Sequence, residues 1–415
     1  MGSSTATLAH PVKQRDPRLD FFRGLGMFII YLAHTPWNSW TLWIPARFGF
    51  SDATEIFVFC SGVASSIAFF RVFERQGWAM GTARVGFRVW QVYWAHIGLF
   101  VAVAALMASV DGIFALDTHY KNSLNLMHFF NDPASLLPAY LTLTYVPNYF
   151  DILPMYLVIL VLMPVVVALG RIDPKAAMAF VILTWCVNLT GALDLPAEPW
   201  SERTWFFNPF GWQLVFYTGF FIGVGWIKPP KPTGGLVIAC IAVLILTMPI
   251  AWYRARNTLD FLPLIDWWKN IQPLRDKTHF GILRYLHFLA LAYLAWIAAG
   301  ENGARIMAVK RLRPLVDVIR KVGQQSLAVF LMSMFLARCA GMILDWIGQS
   351  DDGAGRSDLI TALVNLTGFA ILTATAYTVA WFKSTPWKRP SPQSREPAAT
   401  GGAARPQPLP SAPER

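Results

Sequence analysis

Apolar runs long enough to cross a bilayer recur along nearly the whole chain, and no other feature restricts its fold so severely. A transmembrane helix needs about 20 consecutive, mostly apolar residues. Such runs fall near 19–36, 52–72, 85–108, 152–170, 176–192, 206–226, 235–252, 281–299, 324–347 and 359–382. In hydrocarbon every backbone N–H and C=O must find a partner within the protein, which makes helices the spanning structure for runs of this kind. The sequence therefore predicts an all-α, polytopic integral membrane bundle of about ten transmembrane helices. No soluble domain of ordinary size fits between the runs. Residues 1–17 (MGSSTATLAHPVKQRDP) read as a polar N-terminal tail without the apolar core of a signal peptide. Residues 18–383 form one membrane domain, and 384–415, rich in Pro, Ala, Ser and Gly, are expected to be a disordered tail.

A net charge of +11 raises the question of a polyanionic partner, and the distribution of that charge answers it. With the N-terminus in the cytoplasm, most of the 35 Lys and Arg residues fall on that side, above all in 300–322 (ARIMAVKRLRPLVDVIRK) and beyond Trp381. That is the positive-inside pattern, and it predicts two cytoplasmic termini with 109–151 and 253–280 as the long external connections. No aromatic-basic stripe points to nucleic acid. Cys60, Cys186, Cys240 and Cys339 each lie alone within an apolar run and read as small buried hydrophobes. Phosphate-loop, HExxH and GxSxG patterns do not occur, nor does an internal repeat of the kind that builds many transporters.

The first run, RLDFFRGLGMFIIYLAH (18–34), carries Arg18, Asp20, Arg23 and His34. A charge at the bilayer centre costs on the order of 3 kcal/mol on insertion scales, so ionisable groups kept there are interfacial, paired or functional. On a helix, Asp20, Arg23 and His34 fall within about 60° of one another, and Arg23 and His34 stand about 16 Å apart along the axis. That shared face is expected to point into the protein. Asp20 and Arg23 read as an inner interfacial ion pair or as part of a site; His34 reads as a cap on the outer end or as an acid/base group.

Other runs bring polar groups to the same outer side. SDATEIFVFCSG opens the second with Asp52 and Glu55 at i,i+3, mutually repulsive unless a cation or a histidine lies between them. NYFDILPMY opens the fourth with Asp151 and Tyr156. FNPFGWQ opens the sixth, with Asn208 placed to cap, Pro209 in the first turn and Gln213 following. DKTHFGILRYLHF supplies Lys277, then Arg284 and His287 on one helical face. Singly, each motif is more often a cap or an anchor than a catalyst; together they predict a polar cavity. His34, His287, Asp52, Glu55 and Asp151 are its acid/base candidates, and Arg284 and Lys277 offer positive charge to a carboxylate or an oxyanion. Acid/base use ranks above metal binding at His34, and no metal is expected.

Taken in order, RDPRLDFFRGLGMFIIYLAHTPWN, FGFSDATEIFVFCSG, YFDILPMY, FNPFGWQLVFYTG, DKTHFGILRYLHFLALAY and GQQSLAVF resemble the OpgC family, membrane proteins implicated in succinylating osmoregulated periplasmic glucans. The resemblance runs from about residue 15 to 382. The chain is also distantly similar to the wider acyltransferase-3 group, in which ten residues separate an arginine and a histidine on the first helix, as they do Arg23 and His34. The resemblance implies a bacterial inner-membrane O-acyltransferase. Its donor would be a cytoplasmic acyl-CoA carrying a succinyl or an acetyl group, with succinyl the one the family suggests, and its acceptor a hydroxyl of a periplasmic glucan or other envelope glycan. Asp20, Arg23 and Ser326 would meet the donor. His34 would take the acceptor's proton, with Asp52 or Glu55 fixing its tautomer, and Arg284 would hold the oxyanion or the succinyl carboxylate. Trp37, Asn38, Asp151, Tyr156, Asn208, Gln213 and Lys277 would line the acceptor site. A second class stays open beside it, a proton-coupled transporter or flippase of an envelope precursor.

Overall fold

A computed structural model describes residues 16–116, 119–252, 269–350 and 357–388, the side chains of Gln349 and Ser350 excepted. Both expected tails, up to residue 15 and beyond 388, and residues 253–268 of the expected 253–280 connection lie outside the described residues. Within them the chain forms twelve helices of nine residues or more. These are α1 (Pro17–His34), α2 (Ala53–Ser65), α3 (Arg71–Ile113), α4 (Pro133–Leu141), α5 (Ile152–Ile172), α6 (Pro174–Asn188), α7 (Pro209–Val224), α8 (Gly234–Ala251), α9 (Ile282–Ala299), α10 (Arg313–Gln324), α11 (Ser326–Ser350) and α12 (Asp358–Lys383). Every predicted apolar run is helical.

Six helical stretches among the described residues are long and apolar enough to cross a membrane: Ala53–Ile113, α5, α8, α9, α11 and the stretch Asp358–Lys383. The first, 61 residues, would be about 90 Å long if straight, roughly three hydrocarbon thicknesses. It is not straight. Gly77 sits at φ 85°, and a Cβ on Gly81 would run into the Phe73 ring. Residues eight apart on a continuous helix are about 12 Å apart, so the chain doubles back at Gly77 into two helical segments.

The remaining apolar helices, α1, α6 and α7, fall outside those six for separate reasons. α1 carries Arg18, Asp20 and Arg23, and α6 has only 15 residues. α7 has 16 residues and is buried on almost every face, the pattern of a helix enclosed by protein on all sides. It packs closely on α2: a Cβ on Gly62 would lie 1.9 Å from the Phe216 carbonyl oxygen, and one on Gly219 would lie 2.3 Å from that of Phe59.

α1 is equally central, touching α2, α10, α11 and α12. Gly24 and Gly323 bring it against α10, where a Cβ on either would lie 1.9 Å from the Ile319 or Asp20 carbonyl oxygen. Asp20 is consequently 1% exposed. α8, by contrast, buries little beyond Cys240. The cysteines correct one expectation: Cys60 and Cys240 are buried and Cys339 half-buried, but Cys186 is exposed, because α6 buries only the face carrying Ala177, Val181 and Asn188.

Candidate active site

α1 stops at His34, where Thr35 takes an extended conformation and its hydroxyl donates to the Tyr31 carbonyl at 2.8 Å. The chain then passes through Trp37 at φ 61°. Beside this turn opens a cavity of about 890 Å³, walled by His34, Trp37, Asn38, Asp52, Tyr149, Asp151, Phe206, Phe207 and Lys277, with Ile30, Phe330 and Met334 beneath. The end of one helix and the starts of three others contribute its polar groups. Trp37 and Tyr149 (φ 88°) both hold backbone conformations that cost L residues energy, a form of strain that gathers at ligand sites.

His34 Nδ1 lies 2.8 Å from the Ile30 carbonyl oxygen. A carbonyl only accepts, so Nδ1 carries the proton and Nε2 is left as the basic nitrogen of the neutral ring. This corrects the expectation that Asp52 or Glu55 fixes the tautomer: the backbone of the preceding helical turn does so. The ring meets Tyr149 edge-on at 5.3 Å between centroids. Arg338 of α11 lies over the other aromatic surface, 4.2 Å from the Tyr149 centroid, and donates to the His34 carbonyl at 2.7 Å. Tyr149 itself donates to the Met334 carbonyl at 2.5 Å. Arg338 thus closes an otherwise open carbonyl at the end of α1.

Asp52 and Glu55 are a capping box. The Thr54 N–H donates to Asp52 Oδ1 at 2.7 Å, and the Asp52 N–H donates to Glu55 Oε2 at 2.8 Å. Two cations resolve their repulsion. Lys277 Nζ donates to Asp52 Oδ2 at 2.6 Å. Arg284 donates to Glu55 through Nε at 2.9 Å and through Nη2, with Asp52 3.6 Å away. Lys277 and Asp52 face the cavity; Glu55, 0% exposed, and Arg284 stand behind them. Lys277 also lies 5.5 Å from the Phe207 ring centroid.

Asp151, 6% exposed, borders the cavity with its Oδ1 lacking a hydrogen-bond partner. Burial pushes its carboxyl up to about 6, against a smaller downward pull from Arg203. A buried acceptor left open beside a cavity is the mark of a ligand contact or of an internal water.

The other expected site residues, Asn38 apart, lie elsewhere. His287 accepts or donates at Nδ1 to the Ser51 hydroxyl at 2.7 Å and fills the space beside Gly49, where a Cβ would strike its ring; it props the 49–51 turn. Tyr156 packs on Phe216. Asn208 caps α7, its side-chain Oδ1 accepting from the Phe210 N–H at 3.0 Å. Gln213 donates to the Val181 carbonyl at 2.7 Å inside the bundle. Asn38 reaches the cavity but exchanges two hydrogen bonds with Asn365 of α12. At the opposite end of α1, Arg23 donates to the Ser326 hydroxyl and Asp20 accepts from Gln324 at 3.2 Å, which brings together the three residues expected at the donor site.

Four contributors went unassigned in the sequence. Tyr149 and Arg338 build the His34 surround, and Phe206 and Phe207 wall the cavity. Arg338 had a signal, as an arginine alone in an apolar run; the aromatics had none, being indistinguishable from a membrane-interface belt. Among the described residues no group of three or more His, Cys, Asp or Glu side chains is placed to hold a metal ion.

No curated protein and no solved structure matches the chain. A family model described as OpgC protein matches residues 15–384. Nearly the whole described bundle, from the first turn of α1 to the end of α12, lies within that match, and the chain belongs to the OpgC family.

Proposed function

We propose that this protein is a membrane O-acyltransferase that moves an acyl group, succinyl in the first instance, from cytoplasmic acyl-CoA to a hydroxyl of a periplasmic glucan. The family supplies the coarse role, a glucan-modifying, acyltransferase-like one. The observation that carries the chemistry is His34: its Nδ1 is committed to the Ile30 carbonyl, so a basic Nε2 remains at the wall of a cavity large enough for a sugar ring.

In this reading the glucan enters from the outside. Asp151 accepts a hydrogen bond from one of its hydroxyls, and the Trp37, Phe206 and Phe207 rings pack on the sugar face. His34 Nε2 takes the reacting hydroxyl's proton as its oxygen forms a bond to the thioester carbonyl carbon. Lys277, rather than the rearward Arg284, is the cation placed to stabilise the oxyanion. The C–S bond then breaks, and the departing thiolate takes the proton from the imidazolium, leaving the ester and CoA.

The donor's phosphates would stay near the basic inner segments, with Arg23 and Ser326 at the entry. Between Arg23 and the cavity, Met27, Ile30, Phe57 and Phe330 are packed almost without exposure, and Phe57 and Phe330 stack at 5.7 Å. The pantetheine arm must part this layer to bring a thioester to His34, so turnover includes an opening step.

Purified protein in lipid nanodiscs, given acyl-labelled CoA ester and glucan, tests the assignment. Ester-linked label on the glucan with stoichiometric free CoA is expected. Passage of unmodified solute across proteoliposomes, with no acyl-CoA consumed, would overturn it in favour of transport.

A further inference from the structure

The segment DKTHFG (276–281) carries Lys277 into the cavity wall, and its backbone is held unusually fully. The carbonyls of Lys277, Thr278, His279 and Phe280 accept, in turn, from Trp212 Nε1 at 2.8 Å, the Asn208 N–H at 3.1 Å, Asn188 Nδ2 at 2.9 Å and Trp185 Nε1 at 2.9 Å. All four donors belong to α6, α7 or the cap of α7. One side chain adds an ionic tie. His279 Nε2 lies 2.9 Å from Asp194 Oδ1 and Nδ1 lies 2.8 Å from Asp276 Oδ2. Asp194 sits in the connection from α6 to α7, and it also accepts from Asn208 Nδ2 at 3.0 Å. That same connection ends in Phe206 and Phe207, over which Lys277 lies.

Both ring nitrogens donate at once only in the imidazolium form, so a ring set between two carboxylates in this way is satisfied on both sides when it is charged. We propose that His279 is a positioning residue, a pH-dependent pin that holds the Phe206–Phe207 wall and the Lys277 segment together and thereby keeps the cavity formed. The proposal rests on the cavity being the reaction site, but the pin itself does not depend on what reacts there.

Burial alone would pull the imidazole down; the hydrogen bonds and charges of Asp276 and Asp194 outweigh it and hold the group above its ordinary value of 6.5. The charged groups around it are Asp276 and Lys277 on its own segment, Asp194 opposite, Asp52 through Lys277, and Arg284 of α9, whose charge reaches Asp276. The residues that α6 and α7 turn to the segment, Trp185, Asn188, Asn208 and Trp212, are neutral. A raised histidine contributes fully below its ordinary value and loses its contribution as pH rises through the raised one. His279, Asp194 and Asp276 are each partly exposed, at 28%, 28% and 23% of the side chain, so the pin reads the pH of the adjoining solution.

The test uses the full chain in lipid nanodiscs and two variants. His279→Arg keeps a permanent charge and two donors, and His279→Gln removes the charge. Amide exchange of peptides covering 205–212 and 276–281 is compared at about pH 6 and pH 9, corrected for the intrinsic rate. Wild-type protection is expected to fall about tenfold at the higher pH, as expected for loss of one charge-assisted hydrogen bond. The Arg variant should stay protected at both and the Gln variant at neither, and glucan acylation by the Arg variant should extend to more alkaline pH. A Gln variant with wild-type protection and wild-type pH dependence would overturn the pin. If the Gln variant does not fold, an Arg variant that loses protection at pH 9 as wild type does would overturn it equally. Absence of acylation in every form, with the exchange pattern as expected, would discard the proposed function and leave the pin standing.

Discussion

At the scale of single residues, the site separates groups that face the cavity from groups that hold them there. Asp52 and Glu55 illustrate the division, since one capping box contains both. Glu55 is fully enclosed and carries Arg284, so Glu55→Gln strips a buried guanidinium of its closest counter-charge, with only Asp52 remaining at 3.6 Å, and breaking a buried pair costs up to roughly 3–5 kcal/mol. Thermal unfolding in detergent should show that loss, with membrane abundance reduced. Asp52→Asn, in contrast, keeps a good N-cap and removes the partner of Lys277 while Arg284 keeps its closer contact with Glu55. It should fold normally and lose acyl transfer, which matched-abundance assays would register. Arg338 belongs with the holders. Arg338→Met frees the His34 carbonyl and uncovers Tyr149, so kcat should fall by about tenfold or more with KM little changed, as expected when only alignment is lost. A rise in KM at constant kcat would instead place Arg338 in substrate binding.

At the scale of elements, helix contacts depend on a few small residues. Gly24→Leu would push a side chain into the backbone of α10, and Gly62→Leu into that of α7. Overpacking of this kind costs about 1–3 kcal/mol or more, so both variants should accumulate poorly, while Gly235→Leu on α8, which meets open space, should not. The Phe57–Phe330 layer is also an element-scale feature. A cysteine at Met27 in a background without the other four should resist an impermeant maleimide added from the cavity side, and Phe57→Ala with Phe330→Ala should expose it. Equal labelling in both backgrounds would show that no closed layer separates Arg23 from His34. Both features explain what could be read in advance. Apolar runs are a local signal, so the helices were legible, including the two segments on either side of Gly77. The pairing of Asp52 with Lys277 and of Glu55 with Arg284 was not, because each joins residues more than 200 positions apart. His287 was misplaced for a related reason: its position on the Arg284 face of α9 was visible, but not the Gly49 hollow that receives it. The tautomer partner of His34 was missed although it lies one turn away, because a backbone carbonyl leaves no mark in a sequence.

At the scale of the whole molecule, the polar face of α1 joins two ends of one bundle. Arg23 and Ser326 meet at one end, and His34 borders a cavity at the other. In the function proposed for this chain of the OpgC family, that arrangement would let donor and acceptor approach from opposite sides of the membrane. His34 is where the two substrates would meet, and its replacement by glutamine separates chemistry from structure. Glutamine still donates a hydrogen bond but accepts no proton near neutral pH, and a general base contributes roughly 100- to 10,000-fold in rate. Losing one local hydrogen bond costs only about 1 kcal/mol of stability. The decisive measurement is therefore glucan acylation by His34→Gln at membrane abundance matched to wild type. Loss of the acylated glucan from a folded, inserted variant is the result expected; near-normal product would contradict a catalytic His34.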